Sequence, residues 1–437
     1  MAIFRLDCED STGQKHAATY DTGDNAVTID GVPVTLDAEE DIWRYIGQKR
    51  KQTSSIKKLK IILGLKCNLS CAYCSQKAIR DDDAVTQNAV IETIKGLKAV
   101  LPDAPEKVEL WGGEPFVYWK TLKQAVPLLR EQFPDCQIGI ITNGTLLDDE
   151  TVDWIEDNGI GITISHDGVG QSNRGPDPLD DPKILAVWRR LAARPQGLAI
   201  AVLLTGNSYD PLKSRVYLEE KLGGSLNLIF DVVNDLGGWS PSGVNNLAFT
   251  QESLDAMTSI FLSKSMRSKA FLSWEVEKQM LIDPILCKDG IARLRNKCGI
   301  GGRVHVINGK GELMVCQSNS KTFGSVNDIG KVATPGLTNV LDRACCQTCP
   351  FVHMCKGACP YEKGNAFVAN CQAYFAYYRA VFAAVFEDVF GLRVKRIDGD
   401  MLRPVFETIP TPKGKVEKVE RIAIPWPAER FEKRRQQ

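Results

Sequence analysis

From Lys57 to about Val233 the chain alternates short apolar runs with longer segments whose apolar residues recur at helical spacing. The runs 58–63, 107–111, 137–142, 160–165, 198–204 and 226–232 predict strands. The intervening 86–100, 118–133, 148–157, 182–193 and 211–221 predict helices, with Thr86 and Asp148 at N-cap positions and Gly159 and Gly223 as stops. Strand–helix alternation implies a parallel sheet, so the fold class is α/β, and six such units predict a partial (β/α)6 TIM-like barrel. Parallel barrels carry their chemistry at the C-terminal ends of the strands. The most distinctive segments fall there: a cysteine loop over 67–74, Trp111-Gly112-Gly113-Glu114-Pro115, Thr142-Asn143-Gly144 and Ser165-His166-Asp167-Gly168. Their alignment points to one shared site.

The flanks read differently. Residues 1–56 form an N-terminal extension in which Ala26–Val34 predicts two short strands about the Asp30-Gly31 turn. Asp37 there predicts a cap for a helix to about Lys49, with Glu40 completing a capping box. Residues 57–233 are the barrel, and 234–285 a connection containing Gly237-Gly238-Trp239-Ser240-Pro241 and helical stretches near 250–266 and 272–282. A cysteine-rich domain follows over 286–375, then a C-terminal helix and arm over 376–437. The apolar run Ala373–Phe390 is broken by Arg379, Glu387 and Asp388, which predicts a packed helix and not a membrane span. The arm predicts one strand at Arg421–Ile424, and its basic end, Arg430–Arg435, reads as a solvated tail.

Length and charge narrow the classes. The 437 residues give room for two or more domains, and 54 basic against 54 acidic residues suggest no dominant attraction to nucleic acid. The first residues lack the apolar region of a secretory signal, so the expected location is cytoplasmic, with neither nucleic acid nor membrane as partner. The 14 cysteines cluster at short spacings, which in a reducing compartment favours metal binding over disulfides.

Cys67-x3-Cys71-x2-Cys74 is the densest of these groups. Thiolates are soft ligands for iron–sulfur clusters or zinc. A [4Fe–4S] cluster takes four cysteines, so three would leave one iron open to a ligand from solution. On spacing alone, a zinc knuckle or three unrelated buried thiols remain alternatives.

With Tyr73 before its last cysteine, this loop resembles the C-x3-C-x-aromatic-C signature of radical S-adenosylmethionine (SAM) enzymes. The resemblance implies that Cys67, Cys71 and Cys74 hold a cluster whose fourth iron is chelated by SAM. Reductive cleavage of SAM would then give a 5′-deoxyadenosyl radical. Gly112-Gly113-Glu114-Pro115 resembles the family segment that binds the SAM amino group. Glycines let backbone approach a ligand closely, and a carboxylate accepts from an ammonium. The family likeness also implies SAM contacts for Asn143 and Ser165, and a pairing of Arg174 with the SAM carboxylate. His166 is expected to have a structural hydrogen-bonding role.

The later cysteines, Cys298, Cys316, Cys346, Cys349, Cys355, Cys359 and Cys371, resemble in order and spacing the SPASM extension, which carries auxiliary [4Fe–4S] clusters. The resemblance implies three [4Fe–4S] clusters in all. Cys298, Cys316 and Cys359 would serve a nearer auxiliary cluster, and Cys346, Cys349, Cys355 and Cys371 a farther one. The fourth ligand of the nearer cluster is left between Cys287 and an open iron, and Cys345 beside Cys346 leaves the register open. Zinc ribbons are the alternative, and Cys8 and Cys136 fit neither pattern.

Locally the chain looks most like peptide maturases that form three-residue cyclophanes. That likeness implies a precursor peptide or protein as substrate, and an electron donor such as flavodoxin or ferredoxin. Asp231 and Asp235, near the sixth strand end, are candidate bases. The likeness to leader-binding modules at residues 1–56 is short of a complete domain. Anaerobic maturation of a sulfatase to formylglycine is the second reading, although Cys74-Ser75-Gln76 departs from that family's wording. A non-enzymatic metal-binding scaffold is the third.

Overall fold

The computed structural model describes residues 2–35, 55–82, 85–223, 226–233, 247–263, 266, 278, 280–285, 294, 296–406 and 416–426. Asp235, Cys287, the helix expected after Asp37, the Gly237–Pro241 connection and the basic end lie outside the described residues.

Strands β5 (Lys58–Ile62), β6 (Lys107–Trp111), β7 (Gln137–Thr142), β8 (Gly161–Ser165), β9 (Leu198–Leu204) and β10 (Leu226–Val232) lie side by side, parallel and in chain order. Helices α1 (Gln87–Val100), α2 (Trp119–Gln132), α3 (Asp149–Asp157), α4 (Pro182–Ala192) and α5 (Pro211–Leu222) make the crossovers. The caps are in place: the Thr86 hydroxyl accepts from the Ala89 N–H at 3.3 Å, and the Asp148 carboxylate from the Thr151 N–H at 2.9 Å.

Alternate residues of each strand face the helices. Leu59 and Ile61, Val108 and Leu110, and Leu228 and Phe230 are among the buried apolar residues that fill this layer. The opposite face of β5 and β6 is partly charged. Glu109, 3% exposed, accepts from Lys58 at 2.6 Å and Lys107 at 3.0 Å, with Lys60 3.7 Å away. Burial by itself raises a carboxyl pKa, but the three ammonium groups outweigh it and hold Glu109 below its ordinary range.

Past β5 the same sheet gains β11 (Val304–Asn308), parallel to β5, and the antiparallel β12 (Glu312–Cys316) and β13 (Asn319–Ser325). The result is a mixed, nine-stranded sheet in the order β10-β9-β8-β7-β6-β5-β11-β12-β13. Cys316 therefore ends a strand of the same sheet that carries β5.

The two ends of the chain meet in a second sheet. β1 (Ile3–Glu9), β2 (Lys15–Asp21), β3 (Ala26–Ile29), β4 (Val32–Pro33), β14 (Arg393–Pro404) and β15 (Val416–Ala423) pair antiparallel in the order β15-β14-β1-β2-β3-β4. Helix α6 (Gln251–Phe261) and the long α7 (Gly364–Phe390) pack beneath, with Phe382 5.5 Å from Tyr20 and Tyr377 edge-on to Phe261 at 4.7 Å. Because α7 is covered on several sides it is apolar nearly all round. Its Arg379 reaches Thr258 and Asp255 on α6. Among the described residues, no helix is long and apolar enough to cross a membrane.

Candidate active site

β5 leaves the sheet through Leu63-Gly64-Leu65-Lys66 and enters the cysteine loop, while β6 leaves beside it through Gly112 and Gly113. The two exits stay zipped: the Leu63 N–H donates to the Trp111 carbonyl at 2.8 Å, Gly113 to Gly64 at 3.0 Å, and Glu114 to Lys66 at 2.8 Å. This approach explains both glycines. A Cβ on Gly112 would lie 2.4 Å from the Gly64 carbonyl oxygen, and one on Gly113 2.3 Å from that of Lys66. The sequence argument assigned the glycines to close approach of a ligand; the structure uses them to bring two stretches of chain together directly before Cys67.

Glu114, 1% exposed, is likewise engaged by the protein. Its carboxylate accepts from the Thr142 hydroxyl and the Asn143 N–H at 2.7 Å each, and from the Phe116 N–H at 3.0 Å. Burial pushes its pKa up, and these donors only partly offset that. Glu114 thus braces the exit of β6 against that of β7. Asn143 continues the brace: its amide donates to the Asn68 side chain at 2.9 Å, inside the cysteine loop, while its carbonyl oxygen accepts from the N–H and hydroxyl of Thr145. Ser165 ends β8, and its hydroxyl pairs with no described residue.

The far wall of the loop is a buried charge relay. The Tyr73 hydroxyl donates to Asp167, Arg174 donates to the Tyr73 oxygen at 2.9 Å, and Arg174 lies 3.7 Å from Asp167. Asp167 is fully buried and also accepts from the Leu203 N–H at 3.1 Å. The Arg174 Nε is buried with no hydrogen-bond partner among the described residues, an orphan donor suited to a carboxylate acceptor. Burial raises the Cys71 thiol, Arg174 opposes that, and the charges of Cys74 and Cys67 add to the rise. The Ala72 N–H donates to the Asn173 carbonyl at 2.8 Å, and Cys74 to Cys71 at 3.2 Å, fixing the loop.

His166 is wholly buried beside this wall. Its Nδ1 accepts from the Gly168 N–H at 2.9 Å, its Nε2 lies 3.1 Å from Asp177, and it stacks on Tyr217. The expected structural role fits this geometry. Burial would raise Asp177, but hydrogen bonds from His166 and Tyr217 outweigh it and hold the carboxyl at about 2. A carboxyl held below its unfolded range contributes stability that is present above about pH 4 and is lost as pH falls toward 2. An Asp177→Asn variant should be less stable at pH 7 by on the order of 2 kcal/mol. Denaturant melts of both proteins should show that difference shrinking as pH drops below 4; a constant difference would refute the linkage.

The later cysteines gather in two places. Cys298, Cys316 and Cys359 line a cavity of about 410 Å³ together with Tyr73, Asp231 and Tyr374. Burial pushes Cys359 up to about 12, with the charges of Glu362, Cys316 and Cys298 adding. Lys60 approaches both Cys298 and Cys316 from the charged face of β5. Hydrogen bonds from Gln76 to the Gln317 carbonyl at 2.9 Å and from Ser318 to Ser75 at 2.8 Å tie the first cysteine loop to the Cys316 turn. Asp231 enters the cavity from the end of β10, where it accepts from Lys297 at 3.1 Å and the Tyr374 hydroxyl at 3.2 Å. The second place is a separate cavity lined by Cys346, Cys349, Cys355 and Cys371, with Cys345 and Arg403. Cys8 and Cys136 are buried elsewhere in the apolar layers. Among the described residues, no three His, Cys, Asp or Glu side chains are arranged to hold a single metal ion.

Asp167 entered the sequence reading only within the Ser165-His166-Asp167-Gly168 segment, and Lys297, Tyr361 and Tyr374 were not singled out. The other three lie on the cysteine-rich segment and α7, and only their meeting with β10 marks them.

Comparison with known proteins agrees with this geometry. Residues 61–174 match the Radical SAM superfamily. Radical SAM cyclopropyl synthase TigE of Paramaledivibacter caminithermalis is 20% identical over 346 residues, covering 70% of this chain and 68% of that protein. GTP 3′,8-cyclase of Clostridium perfringens is 32% identical over 126 residues, 27% of this chain, and an uncharacterized protein, MJ0907, of Methanocaldococcus jannaschii is 30% identical over 108 residues, 24% of it. The chain spans only 37% and 36% of the lengths of these last two. Among solved structures, anSMEcpe with bound AdoMet and Cp18Cys peptide is similar in fold, with a TM-score of 0.58 at 16% identity over 76% of this chain and 98% of that one. Over residues 61–174 the chain is thus similar to the Radical SAM superfamily.

Proposed function

We propose that this protein is a peptide maturase that forms an intramolecular cross-link, most simply a cyclophane-type C–C bond, in a ribosomally made precursor peptide. The observation that carries the reading is the shared cavity: Tyr73 of the first cysteine loop, Asp231 of β10 and the sulfurs of Cys298, Cys316 and Cys359 face one space of about 410 Å³. A substrate held there lies between the SAM site and the nearer cysteine set. The cyclopropyl synthase, aligned over 346 residues, forms a carbon ring by name, which supports bond formation between carbons.

When bound, SAM and its cluster supply a 5′-deoxyadenosyl radical that removes one hydrogen atom from the peptide. Cys67, Cys71 and Cys74 hold that cluster in this reading. Arg174 presents its unpaired Nε to the SAM carboxylate, with Tyr73 and Asp167 fixing the guanidinium. Ser165 offers its hydroxyl, and the Gly112–Pro115 loop, braced by Glu114 and Asn143, shapes the amino-group site. Closing the cross-link releases a second hydrogen as a proton and an electron. Asp231 accepts the proton, while Cys298, Cys316 and Cys359, and Cys346, Cys349, Cys355 and Cys371, would hold auxiliary clusters that could accept the electron.

Coexpression with a short precursor bearing aromatic core residues should yield a peptide two hydrogens lighter, with fragmentation interrupted across the linked residues. A product that reacts with a hydrazide probe at a former Cys or Ser would instead establish formylglycine formation. Asp231→Asn should lower cross-linked product by ~100-fold while 5′-deoxyadenosine continues to form. Equal loss of both products would remove Asp231 from the role of proton acceptor.

A further inference from the structure

The cavity of the farther set is lined by five sulfurs, Cys345, Cys346, Cys349, Cys355 and Cys371. A [4Fe–4S] cluster has four irons to ligate, one thiolate to each. Resting on the auxiliary-cluster reading above, we propose that Cys345 and Cys346 are interchangeable ligands for one corner of the farther cluster.

The two stand on the same short helical turn, Ala344–Gln347, and are buried to 7% and 8% exposure. Successive helical residues point about 100° apart, so two neighbours seldom face the same space. Here both line the cavity. The remaining positions are not doubled, since Cys349, Cys355 and Cys371 come from separate stretches of chain.

The backbone of the turn is pinned at both ends. The Cys346 N–H donates to the Arg343 carbonyl at 2.8 Å, Cys349 to Cys346 at 3.3 Å, and Leu402 of β14 to the Thr348 hydroxyl at 2.9 Å. Exchange thus needs only side-chain rotation. One iron–sulfur bond breaks as the other forms, and a proton passes between the sulfurs without change of oxidation state. Arg403, stacked 3.4 Å over the Phe375 ring, lines the same cavity and offsets the charge of the ligating thiolates.

The test compares Cys345→Ala, Cys346→Ala, the double variant and Cys371→Ala as full-length chains reconstituted anaerobically with iron and sulfide. Iron and sulfide per chain are measured, together with the electron paramagnetic resonance spectrum of reduced protein before and after adding cyanide, which binds an iron lacking its thiolate. Each single variant at positions 345 and 346 should match wild type in metal content and in its response to cyanide. The double variant should behave like Cys371→Ala, either losing one cluster's iron or gaining a cyanide-dependent change. If Cys346→Ala or Cys345→Ala alone reproduces the double variant, that residue is a dedicated ligand and the proposal falls. A double variant indistinguishable from wild type would also overturn it. Serine replacements of the same residues give the same comparison should an alanine variant fail to fold. Wild-type protein with iron for a single cluster would instead refute the auxiliary-cluster reading itself, and this inference with it.

Discussion

Replacing Cys71 with alanine is expected to abolish 5′-deoxyadenosine production from SAM, a loss of at least ~100-fold. Cys71 is the most enclosed sulfur of its loop, at 8% exposure, and sits between Cys67 and Cys74 in sequence and beside Arg174 and Asp167 in space. Two thiolates would remain for a cluster that already lacks a protein ligand at one iron. The assay is quantification of 5′-deoxyadenosine after anaerobic reconstitution and reduction, with iron content measured in parallel. Activity equal to wild type would mean that the loop does not carry the cluster.

The second large effect is expected at Gly113. An alanine there brings Cβ to 2.3 Å from the Lys66 carbonyl oxygen and 2.4 Å from that of Leu65, and both clashes are with backbone. Neither partner can swing away, because the Lys66 carbonyl accepts from the Glu114 N–H and the Lys66 N–H donates to Tyr118 at 2.7 Å. Gly113→Ala should cost about 1–3 kcal/mol and reduce cluster loading, since the displaced chain runs directly into Cys67. Gly96 provides the contrast: it lies within α1 with no atom inside 4 Å of a built Cβ. Gly96→Ala should stabilise by up to ~1 kcal/mol and leave iron content unchanged. Thermal melts and iron assays on both variants separate a backbone collision from a general effect of adding a methyl group.

Much of the site was readable because its chemistry is local. Three cysteines within eight residues share a loop however the rest of the chain folds, and period-two apolar runs alternating with period-3.6 ones place that loop at a strand end. The strands observed at β5 to β10 lie within a residue of those expected at either end. Of the later cysteines, Cys298, Cys316 and Cys359 line one cavity and Cys346, Cys349, Cys355 and Cys371 another. Less accessible was what each polar residue touches. Glu114 read as an acceptor for a ligand's ammonium; it is closed in by Thr142, Asn143 and Phe116. Arg174 read as a loop charge facing SAM; it is held by Tyr73 from a loop about one hundred residues earlier, and its buried Nε has no hydrogen-bond partner among the described residues.

The sequence by itself determined the elements and their parallel order, because helical and strand periodicity and capping are properties of neighbouring residues. Only the tertiary structure decided that β1 pairs with β14 so that both ends of the chain share a sheet, that β11 extends the barrel sheet beyond β5, and that Asp231, Lys297 and Tyr374 meet in one cavity. Those outcomes depend on which exposed strand edge finds which partner across hundreds of residues. Backbone hydrogen bonds are the same for every sequence, so such pairings are selected by the packing of whole faces, and no short stretch of the chain records them.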